Sequence, residues 1–295
     1  MIQRLTPSRV IFNIFNYAFM TFLAASIILP FVNSLALSFS DNASISAGTV
    51  VLWPEGFNTE SYKLIFQDRL FTVTILNTIF LTVVNTLLVV FIALLAGYAL
   101  QCKEFKLTKL FTFYIMIPMF FSGGMIPSYI LISSWLHLSN NYLALILPAV
   151  TSPFLIIVFR NNIANMPREM IESAEIDGAN DMTILIRIVI PLILPTVIAF
   201  VIFNAVGYWN EWFGCLLYIR DPAKFTMQYK LRQILSSSII DKRVLEWLAV
   251  DVKDMIHPKN IQNAALLVTI IPIMLIYPFL QRYFIHGTIA GALKG

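Results

Sequence analysis

Charge is what this sequence has least of. Of its 295 residues only 12% are Asp, Glu, Lys or Arg, against 58% apolar ones, and the mean hydropathy is +0.78. A soluble domain carries about 25% charged residues, and no water-soluble core of this size hides so much hydrocarbon. The chain therefore reads as an integral membrane protein. Histidine is scarce as well: His137, His257 and His286 are scattered and form no H-E-x-x-H pair. The cysteines Cys102 and Cys215 lie far apart in or near apolar segments, so neither a disulfide nor a metal site is expected. No G-x-x-x-x-G-K-[ST] phosphate loop is present, so ATP hydrolysis by this chain is excluded, and no clustered catalytic set marks an enzyme. The net charge of +4 comes from basic residues dispersed among the connections, without the basic stripe that nucleic acid requires.

Long apolar runs dominate instead. A span needs about 20 apolar residues, and six candidates stand out, at 11–37, 72–100, 108–133, 142–160, 188–218 and 262–286. The first is too long for the apolar part of a cleaved signal, so it reads as an uncleaved span. None alternates in the rhythm of a barrel strand, so all are expected to be helices, giving an all-α polytopic membrane protein with a single transmembrane domain over 1–295. Pro118, Pro127, Pro148, Pro153, Pro272 and Pro278, with Gly123-Gly124, place kinks in three of them.

The short connections set the orientation. The 101–107 loop and its flank hold Lys103, Lys106 and Lys109, whereas 134–141 holds no Lys or Arg. The positive-inside rule then puts both termini and the 161–187 loop inside, with 38–71 and 219–261 outside. The 219–261 segment carries eight basic residues, but long loops translocate regardless of charge and are discounted. Its apolar positions Leu231, Ile234, Leu235, Val244, Leu245, Trp247, Leu248 and Val250 are spaced as two short amphipathic helices broken near Ser236–Ser238. They suit either the membrane surface or an external protein. In the 38–71 segment Trp53-Pro54 and Gly56 signal turns.

One inside stretch is both charged and patterned. Met170–Pro195 carries Glu172, Glu175, Asp177 and Asp181 within ten residues, then Gly178 and an apolar run containing Pro191 and Pro195. Pro167 suits a first helical turn, Glu169 and Glu172 suit its positive end, and Gly178 suits a left-handed stop. Asn180 or Asp181 can cap a second helix leading into the fifth span. Helices resting on lipid favour Lys and Arg; this one is acidic and fits a protein partner better.

This block resembles the EAA loop of permease subunits of binding-protein-dependent ABC importers, read as E-A-A, three residues, G, nine residues, then I-x-L-P. The chain gives Glu172-Ser173-Ala174, Gly178 and Ile188-Val189-Ile190-Pro191, departing only at Ser173 and Ile190. Its end, Tyr277–Gly295, is similar to the carbohydrate-type tail G-x-x-x-G-A-x-K-G, and Phe121–Ile132 is similar to a subgroup handling complex oligosaccharides. The resemblance covers the whole chain. It implies the type I permease fold with a cytoplasmic coupling helix, and import of an oligosaccharide by a bacterial cytoplasmic-membrane complex, in a Gram-positive host. It also implies a second, distinct permease, two ATPase subunits holding the ATP and Mg, and an extracellular solute-binding lipoprotein, with no cofactor on this chain. By the same resemblance Glu172, Ser173, Ala174, Asp177, Gly178, Ala179, Ile188 and Pro191 would dock the ATPase. Gly287, Gly291, Lys294 and Gly295 in the tail 287–295 would be a second contact. A permease for a polyol or glycerol phosphate, or a self-contained secondary carrier, are the competing readings.

Inside the spans, Glu211 in Gly207–Gly214 is the sharpest candidate for a translocation path, because an ionisable residue at membrane depth marks function by default. Asn204 and Asn210 lie near it, and Trp209 and Trp212 could stack on sugar rings. The same residues also suit interface placement, where Trp and Tyr gather. Asn77 and Asn85 are expected to hydrogen-bond between helices.

Overall fold

The structure, a computed structural model, describes residues 7–102, 105–236 and 257–292, with side chains in the last stretch to Leu275. Among these residues all regular structure is helical. They gather into two compact units, one within 1–68 and 233–271 and the other within 69–232 and 272–295.

In the first unit, α1 (Pro7–Ser38) is an apolar rod. Most of its large side chains, such as Ile11, Phe15, Tyr17 and Phe22, are exposed. A helix apolar all round and unburied is stable only in lipid or against a partner. Two short helices follow, α2 (Asn42–Ala47) and α3 (Glu60–Gln67). Asp41 caps α2 by accepting from the Ser44 N–H at 2.8 Å, and that bond holds its carboxyl below the ordinary aspartate range. The Asn260 amide donates to the Ser40 carbonyl at 2.6 Å, and the His257 N–H donates to the Asn42 side chain at 2.7 Å, tying this region to the start of α15 (Pro258–Ala292).

The second unit is built on α4 (Arg69–Ala99). Its buried positions recur every three or four residues from Phe71 to Tyr98, a stripe wide enough to pack on several neighbours. Two of those neighbours are α8 (Pro153–Ala164) and α12 (Leu194–Trp209). α8 begins at a Ser152 cap, whose hydroxyl accepts the Leu155 N–H, with Pro153 in its first turn. α4 and α8 cross closely at Gly97: a Cβ there would stand 2.9 Å from the Arg160 backbone nitrogen. In lipid no hydrophobic drive separates helix from solvent, so such backbone approach is what holds helices together. Around the crossing, Val89, Val90, Ala93, Leu94, Leu155, Phe159, Leu185 and Val189 form a buried apolar cluster.

The first two expected spans match α1 and α4 in extent. The next three are not single rods. α5 (Thr108–Phe120) meets α6 (Met125–Ile130, continued by a π turn to Trp135) at 110°, because extended backbone at Phe121 and the Gly123-Gly124 pair interrupt the ladder. α7 (Leu143–Ile146), prolonged by a 3-10 turn at Leu147–Ala149, meets α8 at 41°, around Pro148 and Pro153. The expected 188–218 rod is broken: α10 (Asp181–Ile184) precedes it, and it runs from the end of a π turn Leu185–Val189 through α11 (Ile190–Leu192), α12 and α13 (Phe213–Tyr218), with an 85° bend before α12. A π turn adds a residue to the ladder, and Pro191 and Pro195 cannot donate to it. Two helices, or five spans if each bent pair is one, are long and apolar enough to cross a membrane among the described residues. Helix α14 (227–236) begins the amphipathic stretch expected in 219–261; Val244, Leu245, Trp247, Leu248 and Val250 lie outside the described residues.

The Gly97 crossing yields a prediction. Gly97→Ala should lower the melting temperature of the detergent-solubilised chain by overpacking, at a cost of about 1–3 kcal/mol. Gly207→Ala, where an added Cβ meets nothing within 4 Å, should not.

Candidate functional site

The acidic block folds as a helix, an elbow and a second helix. α9 (Glu169–Ile176) starts two residues after Pro167, whose carbonyl accepts the Met170 N–H at 3.4 Å while that of Arg168 accepts from Glu172. Proline thus opens the turn ahead of the helix and does not lie within it. Glu169 and Glu172 occupy the first turn, where the helix dipole favours acids. At the far end Gly178 takes φ +77°. The Ala179 N–H donates to the Ala174 carbonyl and that of Gly178 to Glu175, both at 3.0 Å, which is the paired closure of a Schellman motif. Asn180 then caps α10, its side-chain oxygen accepting the Thr183 N–H at 2.9 Å.

One face of this elbow is seated. Ile171, Ala174 and Ala179 pack on the apolar cluster at the Gly97 crossing, and Ile188 precedes the buried Val189 of that cluster. The opposite face is open. Ser173, Asp177 and Gly178 are exposed there, and Ile176 is 86% exposed, whereas Glu172, also exposed, borders the cavity behind the elbow. Ile176 was not singled out from the sequence, although its signal was available: it is an apolar residue out of phase with Ile171 and Ala174. Behind the elbow a cavity of about 60 Å³ is lined by Tyr98, Gln101, Arg168, Glu175 and Asp181, among others. There the Tyr98 hydroxyl donates to Asp181 Oδ1 at 3.1 Å. Pro191 falls within α11. Gly287 and Gly291 lie on the α15 backbone, while Lys294 and Gly295 lie outside the described residues.

The second group of candidates is divided. Trp209 is buried. The Asn204 amide donates to the Phe200 carbonyl of its own helix at 2.7 Å. Glu211 accepts the Gly214 N–H in the first turn of α13, and its carbonyl accepts the Thr226 hydroxyl at 2.7 Å. Asn210 and Trp212 meet α14: the Gln228 amide donates to Asn210 Oδ1 at 2.9 Å, and the Arg232 guanidinium lies 3.9 Å from the Trp212 ring centre. Gln228 and Arg232 are one helical turn apart, a pairing that no local motif announces. Asn85 donates to the Leu145 carbonyl of α7 at 3.4 Å, between helices as expected. Asn77 instead reaches a loop, donating to the Ala223 and Phe225 carbonyls at 2.8 and 3.1 Å. Among the described residues no three His, Cys, Asp or Glu gather as metal ligands.

Residues 74–289 match the family described as the binding-protein-dependent transport system inner membrane component, and the chain belongs to that family. It is 35% identical to Protein LplC of Bacillus subtilis over 97% of this chain and 95% of that one. It is 33% identical to the polygalacturonan/rhamnogalacturonan transport system permease protein YtcP of the same organism, over 97% and 99%. Its fold is similar to a chain in the crystal structure of a bacterial ABC transporter involved in the import of the acidic polysaccharide alginate, with a TM-score of 0.87 and 27% identity, over 96% and 99%.

The elbow's glycine is required by conformation, since an added Cβ at Gly178 meets nothing within 4 Å. Gly178→Val should open the two closing hydrogen bonds and raise amide exchange at Ala179 by about tenfold or more, because a β-branched residue resists this backbone region. Gly178→Asn, which tolerates it, should leave the exchange close to the parent's.

Proposed function

We propose that the chain is the permease subunit of an ATP-driven importer that moves an oligosaccharide, delivered by an external solute-binding protein, across the bacterial cytoplasmic membrane. It works as one transmembrane domain of six spans: α1, α4, α5 with α6, α7 with α8, α11 to α13, and α15. Both termini and the 161–187 loop face the cytoplasm, and 38–71 and 219–261 face outward, in a Gram-positive cell. Its partners are a distinct second permease, two ATPase subunits that hold the ATP and Mg, and a lipoprotein that holds the sugar. This chain itself binds no cofactor and is not an enzyme.

The observation that carries this reading is the elbow. A rigid two-helix corner, closed by paired hydrogen bonds, is seated on the packed ends of α4 and α8 and presents its other face outward. Such a corner passes force from a soluble motor into the span helices; a loose loop would absorb it. Glu172, Ser173, Ala174, Asp177, Gly178, Ala179, Ile188 and Pro191 form the docking corner. Exposed Ile176 supplies the apolar anchor that an interface centre favours, and the acids steer the approach. Gly287, Gly291, Lys294 and Gly295 form the second ATPase contact. The oligosaccharide cargo is supported by the polygalacturonan/rhamnogalacturonan and alginate systems to which the chain is similar. Asn204, Trp209, Asn210, Glu211 and Trp212 mark the sugar path, with exposed Asn210 bonded to Gln228, and Arg232 over Trp212, as its polar wall.

Purification of the tagged chain in mild detergent from its native membrane should recover a second permease, an ATPase and a binding lipoprotein. Recovery of the chain alone, transporting in liposomes without ATP, would replace this reading with a secondary carrier. Ile176→Asp should cut ATPase recovery by about tenfold, the cost of removing one apolar anchor, and leave membrane insertion unchanged.

A further inference from the structure

We propose that Tyr98 and Asp181 are positioning residues: a polar tie that makes the elbow and the end of α4 move as one piece. The proposal rests on the coupling role given to α9 above and adds the route by which α4 is engaged.

The two residues are 83 positions apart, yet the Tyr98 hydroxyl donates to Asp181 Oδ1 at 3.1 Å. Tyr98 occupies the last turn of α4 and is only 9% exposed, so its ring is fixed by packing. Asp181 is the first residue of α10, immediately after the Asn180 cap, and is exposed. The bond therefore joins a buried, immobile donor to the one place where the elbow turns into the next helix. Ile171, Ala174 and Ala179 of the elbow rest on the core through apolar contacts. Apolar contacts slide; a hydrogen bond to a charged acceptor is directional and stronger than a neutral one. The neighbouring residue Gly97 locks α4 on α8, the helix that leads into α9. Tyr98–Asp181 thus closes a triangle of α4, α8 and α10 around the elbow. Without it the elbow can rock over the cluster against the locked pair of α4 and α8.

The test uses the purified complex of permeases and ATPases in liposomes, with spin labels at Glu169→Cys on α9 and Leu87→Cys on α4, both exposed, and the native cysteines replaced by alanine. In the parent the label distance should be single, narrow and equal in the nucleotide-free state and with a non-hydrolysable ATP analogue. Tyr98→Phe keeps the ring and loses the hydroxyl; it should broaden that distance or make it depend on nucleotide. Asp181→Asn, made in the parent, keeps an Oδ1 acceptor and should keep the distance narrow, whereas Asp181→Ala should behave as Tyr98→Phe does. A narrow, nucleotide-independent distance in Tyr98→Phe would overturn the tie, as would a parent distance that already changes with ATP. Loss of complex assembly in Tyr98→Phe, read by ATPase co-purification, would reduce Tyr98 to a folding role and also overturn it. Failure of the parent chain to recover any ATPase would instead strike the importer reading itself.

Discussion

The approach of α4 to α8 at Gly97 is the interaction on which the second unit depends. A side chain at this position would press on the Arg160 backbone, so only glycine lets the two helices close to this distance. That closeness brings Phe159, Ala93 and Leu94 into one buried cluster and gives α9 a floor. The chain leaves α8, turns through Asn165–Arg168 and enters α9 within a few residues, so the crossing also fixes where α9 begins. A shift there would move the elbow as a whole.

How much of this was legible depended on whether the cause was local. The Gly178 turn and the Asn180 cap were readable because each is decided by two or three neighbouring residues and by backbone conformation. The extents of α1 and α4 were readable from unbroken apolar length. The bends were signalled by Pro118, Gly123, Pro148, Pro191 and their companions, but a kink and a corner of 85° or 110° carry the same residues. Which of them results depends on what the two arms pack against. The pairings Tyr98–Asp181, Asn77–Phe225 and Arg232–Trp212 were not legible, since nothing within either partner's surroundings names the other. Glu211 was conspicuous by its charge, but its bond to the Gly214 N–H at the start of α13 was not signalled in advance.

The length of α4 divides into two kinds of packing. From Val89 to Leu100 its buried face is mostly apolar and ends in the Gly97 crossing and the Tyr98 bond. From Thr74 to Thr86 it is polar: Thr78 Oγ accepts the Met227 N–H at 2.8 Å, Asn77 holds the loop at Ala223, and Asn85 reaches Leu145. In the same stretch the hydroxyls of Thr82 and Thr86 and the Oδ1 of Asn85 are buried with no hydrogen-bond partner among the described residues. Each such atom costs about 1–3 kcal/mol against a hydrated one. Along Thr74–Thr86 the neighbours are held by directional bonds, whereas along Val89–Leu100 they are held by close apolar packing, with the Arg160 Nε of α8 likewise buried without a hydrogen-bond partner among the described residues. The half of α4 nearest the elbow is therefore held by shape, and the far half by hydrogen bonds to its neighbours.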